Sequence, residues 1–104
     1  MDLKVDTSLG WTQAIIDGDC EFNRFYKIAE DMAQYLDIEF TDKLKDFDSA
    51  YWDFEYEGSK LSLHYNIYLG ISIFPLAFKE ATQADNDRVV EIANLLLQKL
   101  LNKN

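Results

Sequence analysis

Apolar and polar residues alternate strictly in two adjacent stretches near the middle of the chain, residues 52–57 and 60–65. A period of two is that of a β-strand with one buried face. Gly58-Ser59 between them suits a two-residue type II′ turn, because glycine accepts the positive φ required at the first central position. The pattern therefore predicts a β-hairpin. Its predicted apolar face consists of Trp52, Phe54, Tyr56, Leu61, Leu63 and Tyr65.

This turn also determines which residues should face each other. Pairing outward from Gly58-Ser59 puts every apolar residue opposite an apolar one, and it puts Asp53 opposite His64. A third strand, residues 71–74, follows after a second turn and ends before Pro75, which has no amide hydrogen to continue a strand ladder. Its alternation leaves Phe74 on the polar face, together with the acidic residues.

Helical periodicity appears on both sides of this meander. Apolar residues recur every three or four positions from about residue 21 to 37 and again from about 85 to 101, which predicts two amphipathic helices. Asp17 or Asp19 is expected to cap the first turn of the first helix. That helix is long enough to cover the hairpin lengthwise.

In three shorter segments the pattern is too brief to decide the secondary structure. Residues 3–6 fit a short strand, residues 11–16 fit a strand or a helical turn, and residues 38–41 fit an edge strand, where Lys43 and Lys45 would discourage unwanted pairing. The sequence predicts one α+β domain over residues 1–104. Its expected order is helix, antiparallel three-stranded meander and helix in a two-layer sandwich, with a further N-terminal or edge strand left open. Whether the helices cover one face of the sheet or both is also open.

Nineteen acidic residues against ten basic ones give the chain a net charge of −9. Such a charge repels nucleic acid and anionic membrane surfaces and favours a basic protein partner. No charged and then apolar leader precedes residue 20, and no apolar run approaches the roughly 20 residues of a spanning helix. The lone Cys20 has no partner for an internal disulfide. We therefore expect a cytoplasmic protein that contacts neither nucleic acid nor membrane.

Residue types that carry catalysis or bind metals are few. His64 with Asp53 suits an acid–base pair, but no nucleophile is placed beside them, and a surface cross-strand pair explains both residues. One histidine and one cysteine do not make the usual zinc site, and Asp42, Asp46 and Asp48 lack the spacing of a calcium-binding loop. The sequence predicts neither an enzyme nor a metal or cofactor site.

Acidic charge is concentrated in one fifth of the chain. Residues 37–57 contain eight acidic residues and two lysines, and so carry −6 of the −9. Alternate acidic residues on a strand project from one face about 6 to 7 Å apart. An acidic ridge with aromatic edges suits a basic groove, whereas an ordinary solvated face is the alternative. The predicted partner-binding residues are Asp46, Asp48, Tyr51, Asp53, Glu55, Glu57, His64 and Phe74.

The small size, the acidic charge and the layout of the whole chain resemble those of bacterial immunity proteins that neutralise nuclease toxins, including toxins of contact-dependent growth inhibition. The resemblance rests on no residue motif. It implies an inhibitor that occludes the basic active-site cleft of a toxin nuclease by mimicking the phosphate backbone of its substrate. The alternative is a structural or regulatory domain that homodimerises through the leucine-rich residues 89–101 or through an open strand edge.

Overall fold

The computed structural model of this chain describes residues 4–8, 10–17 and 22–98. Over these residues it has an α+β fold with one six-stranded antiparallel sheet and two α-helices. The strands are β1 (Lys4–Asp6), β2 (Gln13–Asp17), β3 (Phe40–Lys45), β4 (Ser49–Tyr56), β5 (Ser59–Asn66) and β6 (Gly70–Pro75). The helices are α1 (Phe22–Leu36) and α2 (Gln83–Leu96), and a short 3-10 helix (Phe78–Glu80) precedes α2.

The strand order across the sheet is β1-β2-β6-β5-β4-β3, so the predicted three-stranded meander forms its centre. The α+β class is confirmed, but the predicted strand count was too low. The predicted edge strand lies at 40–45 rather than 38–41, and residues 13–17 form a strand rather than a helical turn. β2 pairs with β6, more than 50 residues later in the chain, and no local pattern reveals such a distant partner.

Both helices pack against the same face of the sheet, which answers the question that the sequence left open. One continuous core joins apolar residues of α1 and α2 to those of β2, β4, β5 and β6. Phe25 of α1 contacts Trp52 of β4 at 5.1 Å between ring centroids, while α2 lies over β2, β5 and β6. The predicted hairpin face is confirmed, since Phe54, Leu61 and Leu63 are all buried in this core.

The hairpin turn differs from the predicted one. Its central residues are Glu57 and Gly58, with φ of 53° and 83°, and positive φ at both positions is typical of a type I′ turn rather than type II′. The strand register therefore shifts by two residues, which places Asp53 opposite Ser62 instead of His64. A shift of two keeps every side chain on its face. For that reason the predicted faces are right although the predicted pairs are wrong.

α2 begins two residues earlier than the sequence predicted. Thr82 caps it: the Thr82 hydroxyl accepts from the Asp85 N–H at 3.1 Å, and the Thr82 N–H donates to the Asp85 carboxylate at 3.1 Å. This reciprocal capping box satisfies two backbone N–H groups that the first turn leaves unpaired. Hydrogen bonds from the side chain of Ser59 and from Thr82 hold the pKa of Asp85 below its usual value, so the cap also ties α2 to the start of β5.

Some predictions fall on residues that the structure does not describe. They are the Asp19 cap, the environment of Cys20 and the end of the second helix near residue 101. Asp17, the other predicted cap, belongs to β2. Within the described residues, neither helix combines the length and the apolar character that crossing a membrane requires.

The left-handed conformation of Glu57 predicts a stabilising substitution. A non-glycine residue with positive φ costs about 1–2 kcal/mol, whereas asparagine tolerates this region and Asn-Gly is the favoured type I′ pair. We expect Glu57→Asn to raise the free energy of unfolding, measured by urea denaturation, by about 0.5–1 kcal/mol. The control is Glu55→Asn, which makes the same charge change within a regular strand. A Glu57→Asn protein no more stable than the control would contradict the assigned turn.

Candidate functional site

The face of the sheet opposite the helices carries most of the predicted site. Neither α1 nor α2 packs on this face, and we call it the open face. Its β6 side is nevertheless buried, because the 3-10 helix contacts Phe74 there, and Ser62 and Ser72 are also buried. Strand alternation and register assign its side chains. On β3 to β6 they are Asp42, Leu44, Tyr51, Asp53, Glu55, Lys60, Ser62, His64, Ser72 and Phe74.

Five of the eight predicted partner-binding residues share this face, and the other three lie at its two ends. The five are Tyr51, Asp53, Glu55, His64 and Phe74. Asp46 and Asp48 belong to the turn between β3 and β4, whereas Glu57 belongs to the turn between β4 and β5. The two turns are separated by the eight residues of β4, about 26 Å at the usual rise per residue. A partner must therefore span the whole strand to touch both ends.

A continuous row of rings crosses the open face. Tyr51 stacks on His64 at 4.3 Å between ring centroids, and His64 contacts Phe74 at 5.6 Å. Phe74 in turn meets Phe78 at 5.2 Å, and Phe78 meets Trp11 at 5.3 Å, both edge to face. This aromatic row therefore joins β4, β5 and β6 to the 3-10 helix and to the chain just before β2.

The sequence did not reveal that Trp11 and Phe78 belong to this row. Neither residue lies in a strand, so neither is part of an alternating pattern. Their position depends on the distant pairing of β2 with β6 and on the 3-10 helix that follows β6. The only available signal was the general enrichment of aromatic side chains in interaction surfaces.

His64 is the second ring of the aromatic row, between Tyr51 and Phe74, and is half-buried. Burial lowers its pKa from the usual value because the charged imidazolium loses hydration. In the described part of the chain, no group accepts from or donates to its Nε2. The predicted Asp53–His64 pair is therefore wrong, since Tyr51 stands opposite His64 and Asp53 stands opposite Ser62.

Buried polar atoms without a hydrogen-bond partner also gather here. Across the described residues such side-chain atoms are Trp11 Nε1, Ser62 Oγ and His64 Nε2, and all three lie on the open face or at the end of its aromatic row. Leaving a buried donor or acceptor unpaired costs about 1–3 kcal/mol. Because these atoms have almost no accessible surface, a bound water rather than a docked protein is their ordinary partner.

A β-bulge at Thr41 brings a further carboxylate to the open face. Phe40 pairs with Phe54 and Asp42 with Asp53, so Thr41 is an extra residue that reverses the alternation of β3. Asp42 consequently faces Asp53 directly across the strands, and two like charges in this arrangement destabilise the sheet. Asp42 is not among the predicted partner-binding residues, because the predicted edge strand ended at residue 41 and Asp42 was assigned to the acidic loop that follows it.

The bulge also determines where the two lysines of β3 lie. Lys43 Nζ is 4.6 Å from the centroid of Trp52, and Lys45 Nζ is 4.7 Å from that of Phe22. Both rings belong to the helix side of the sheet, so these cations do not neutralise the acidic residues on the other side. Their predicted position at a sheet edge is confirmed, since β3 is an edge strand.

A shallow cavity of about 270 Å³ opens where the bulge separates β3 from β4. Its lining residues are Thr41, Asp42, Asp53, Phe54, Glu55, Lys60 and Leu76. Three carboxylates around a partly apolar floor suit the cationic head and aliphatic stem of an arginine or lysine side chain. Within the described residues, no three His, Cys, Asp or Glu side chains are grouped so that they could hold a metal ion.

The sequence pattern of one protein family, described as a protein of unknown function (DUF3630), matches residues 4–96. The chain belongs to the DUF3630 family. The match runs from the first residue of β1 to the last residue of α2, so the open face lies within the region shared by DUF3630 proteins. Among curated proteins and among solved structures, no significant match is found.

The lowered pKa of His64 predicts a pH dependence of stability. Between the usual value of 6.5 and the lower folded value, the unfolded chain binds a proton that the folded protein does not. The free energy of unfolding should therefore fall as the pH is lowered from neutrality through this range. Urea denaturation at pH 7.5 and at pH 5.5 measures this difference in the free energy of unfolding. The difference should be smaller in the His64→Phe protein.

Proton NMR provides a direct check, because the sequence contains one histidine. The imidazole C–H signals of the folded protein should titrate below pH 6.5. A midpoint at or above that value would mean that burial is not the dominant influence on His64.

Proposed function

We propose that this DUF3630 protein is a binding protein that docks a basic protein partner against its open face. One observation carries the proposal: carboxylates and an aromatic row share the side of the sheet on which neither α1 nor α2 packs, while both lysines of β3 are held on the other side. Such a surface combines charges that attract a partner with rings that bury apolar area on contact.

The charge of the surface defines the partner's chemistry. Asp42 and Asp53 face each other across the strands. Lys60 is the cross-strand neighbour of Glu55 and lines the same cavity as the three carboxylates. A partner that places arginine or lysine side chains over Asp42 and Asp53 would relieve their repulsion. The net charge of −9 would also accelerate the encounter with a basic protein, since long-range attraction raises association rates by about 10- to 1000-fold.

The specific form of the proposal is an immunity protein for a nuclease toxin. A nuclease holds its polyanionic substrate in a basic cleft, and carboxylates on alternate residues of β4 lie about 6–7 Å apart, comparable to the phosphate spacing along a nucleic-acid strand. Occupying that cleft would block the substrate without any catalysis by the inhibitor. The proposal includes a cytoplasmic location and a non-enzymatic role.

The homodimer alternative finds less support in the structure. Val89, Ile92, Ala93 and Leu96, the centre of the apolar stripe in residues 89–101, are buried against the sheet. They are consequently not available to a second copy. A dimer through this helix would depend on the half-buried Leu97 and on residues 99–101, which lie outside the described part of the chain.

Charge reversal on the open face tests the proposal. Affinity capture with the wild-type protein from native cells identifies a partner, and surface plasmon resonance then compares variants against it. We expect Glu55→Lys to slow association by about tenfold and to reduce the salt dependence of the rate, because attraction acts on the encounter. The control is Glu30→Lys, an identical charge change at an exposed position of α1.

Equal association rates for the Glu55→Lys and Glu30→Lys proteins would mean that net charge alone, and not the open face, attracts the partner. Capture of a protein that carries no basic cleft would contradict the proposed partner class.

A further inference from the structure

Two hairpin turns lie side by side at one end of the sheet, and both carry exposed apolar side chains. The first turn, residues 46–48, joins β3 to β4, and the second, residues 67–69, joins β5 to β6. Phe47 is 92% exposed and Tyr68 is 78% exposed. Leu44 at the end of β3 and Leu69 in the second turn are 67% and 55% exposed. We call these four residues the tip patch.

The tip patch continues the aromatic row. Leu44 stands opposite Tyr51 on the open face, and Tyr51 is the first ring of that row. Single exposed apolar residues are common on protein surfaces, but a group of them next to a larger aromatic surface marks an interaction site. The tip patch and the open face therefore form one surface.

Hydrogen bonds hold both turns in a defined conformation. Asp46 receives the Phe47 N–H on its side chain at 2.8 Å, and Asn66 receives the Tyr68 N–H in the same way at 2.8 Å. The Ile67 N–H donates to the Asp48 carbonyl oxygen at 3.1 Å and so joins the two turns. These bonds order the backbone of both turns before a partner arrives, which lowers the entropy cost of binding.

The charges around the tip patch are acidic. Asp46 and Asp48 flank Phe47 in the first turn, while the cation of the neighbouring Lys45 lies over the ring of Phe22 on the helix side. An anionic membrane surface and a second copy of this acidic chain would both be repelled. A chain segment that combines apolar side chains with arginines complements both the rings and the charges.

We propose that the tip patch is the anchor of the docking surface and binds a segment of the partner in which apolar side chains alternate with arginine or lysine. The inference rests on the proposed function and deepens it by naming the partner chemistry at this end of the sheet. Phe47 and Tyr68 enter the apolar part of the partner segment, and Asp46 and Asp48 face its cations. Burial of these rings provides affinity, whereas the acidic residues of β4 provide attraction over distance.

A defined peptide tests this inference on the full-length protein. The probe is a synthetic peptide that alternates arginine with phenylalanine, titrated into the ¹⁵N-labelled protein and followed by NMR. We expect the amide signals of Phe47, Tyr68 and Leu69 to shift. Phe47→Ser should weaken the affinity at least about 30-fold, the usual threshold of a residue that dominates an interface. Tyr35→Ser is the control, because Tyr35 is an exposed aromatic residue of α1, outside the tip patch and the open face.

Peptide composition separates the contributions of charge and apolar contact. A peptide that alternates arginine with serine should bind much more weakly than the arginine–phenylalanine peptide, and so should one that alternates glutamate with phenylalanine. Equal binding of the arginine–serine peptide, or unchanged affinity of Phe47→Ser, would overturn the inference. Neither result would affect the proposed function, which the Glu55→Lys comparison tests separately.

Other occupants of the tip patch have distinct signatures. If the protein bound phosphatidylcholine vesicles and Phe47→Ser abolished this binding, the tip patch would be a membrane contact and the inference would be overturned. Light scattering would detect concentration-dependent dimerisation. If Phe47→Ser abolished such dimerisation, the tip patch would bind a second copy of this chain and the inference would be overturned. Absence of binding by the arginine–phenylalanine peptide would likewise reject the proposed partner chemistry.

Discussion

Packing of both helices against a single face of the sheet is the constraint on which the rest of the structure depends. The apolar side chains of β4 and β5 need cover, and α1 and α2 provide it on one side. Because strand side chains alternate, all the intervening residues are then placed on the opposite side. Tyr51, Asp53 and His64 thus share a surface as a consequence of burying Trp52, Phe54 and Leu63. The open face and its charge follow directly from the way the core is built.

Local patterns predicted the central hairpin and both helices, because the hydrophobic periodicity of each element is visible within its own residues. Alternation from Trp52 onward was sufficient to assign faces, and the faces survive the two-residue error in register. The error arose at Glu57, where a glutamate takes the positive φ that was expected only of glycine. Composition alone gives no sign that a residue with a poor preference for this conformation will adopt it.

Long-range features of the site were beyond sequence reasoning. The aromatic row needs Trp11 and Phe78, which the pairing of β2 with β6 brings to the same end of the sheet. The bulge at Thr41 moves Asp42 to the open face, and a bulge is not visible in a six-residue strand with mixed composition. The sequence therefore revealed the acidic segment, residues 37–57. It did not reveal which of its acidic residues share the open face.

The central claim is that the open face of the sheet, and not the helices, receives a basic partner. Aromatic side-chain NMR of the protein, free and bound to its captured partner, tests this most directly, because rings occur on both sides. We expect large shifts for the exposed rings of Tyr51 and Phe78 in the aromatic row and none for Tyr35, an exposed ring on α1. Shifts confined to the ring of Tyr35 and to other residues of the helices would contradict it.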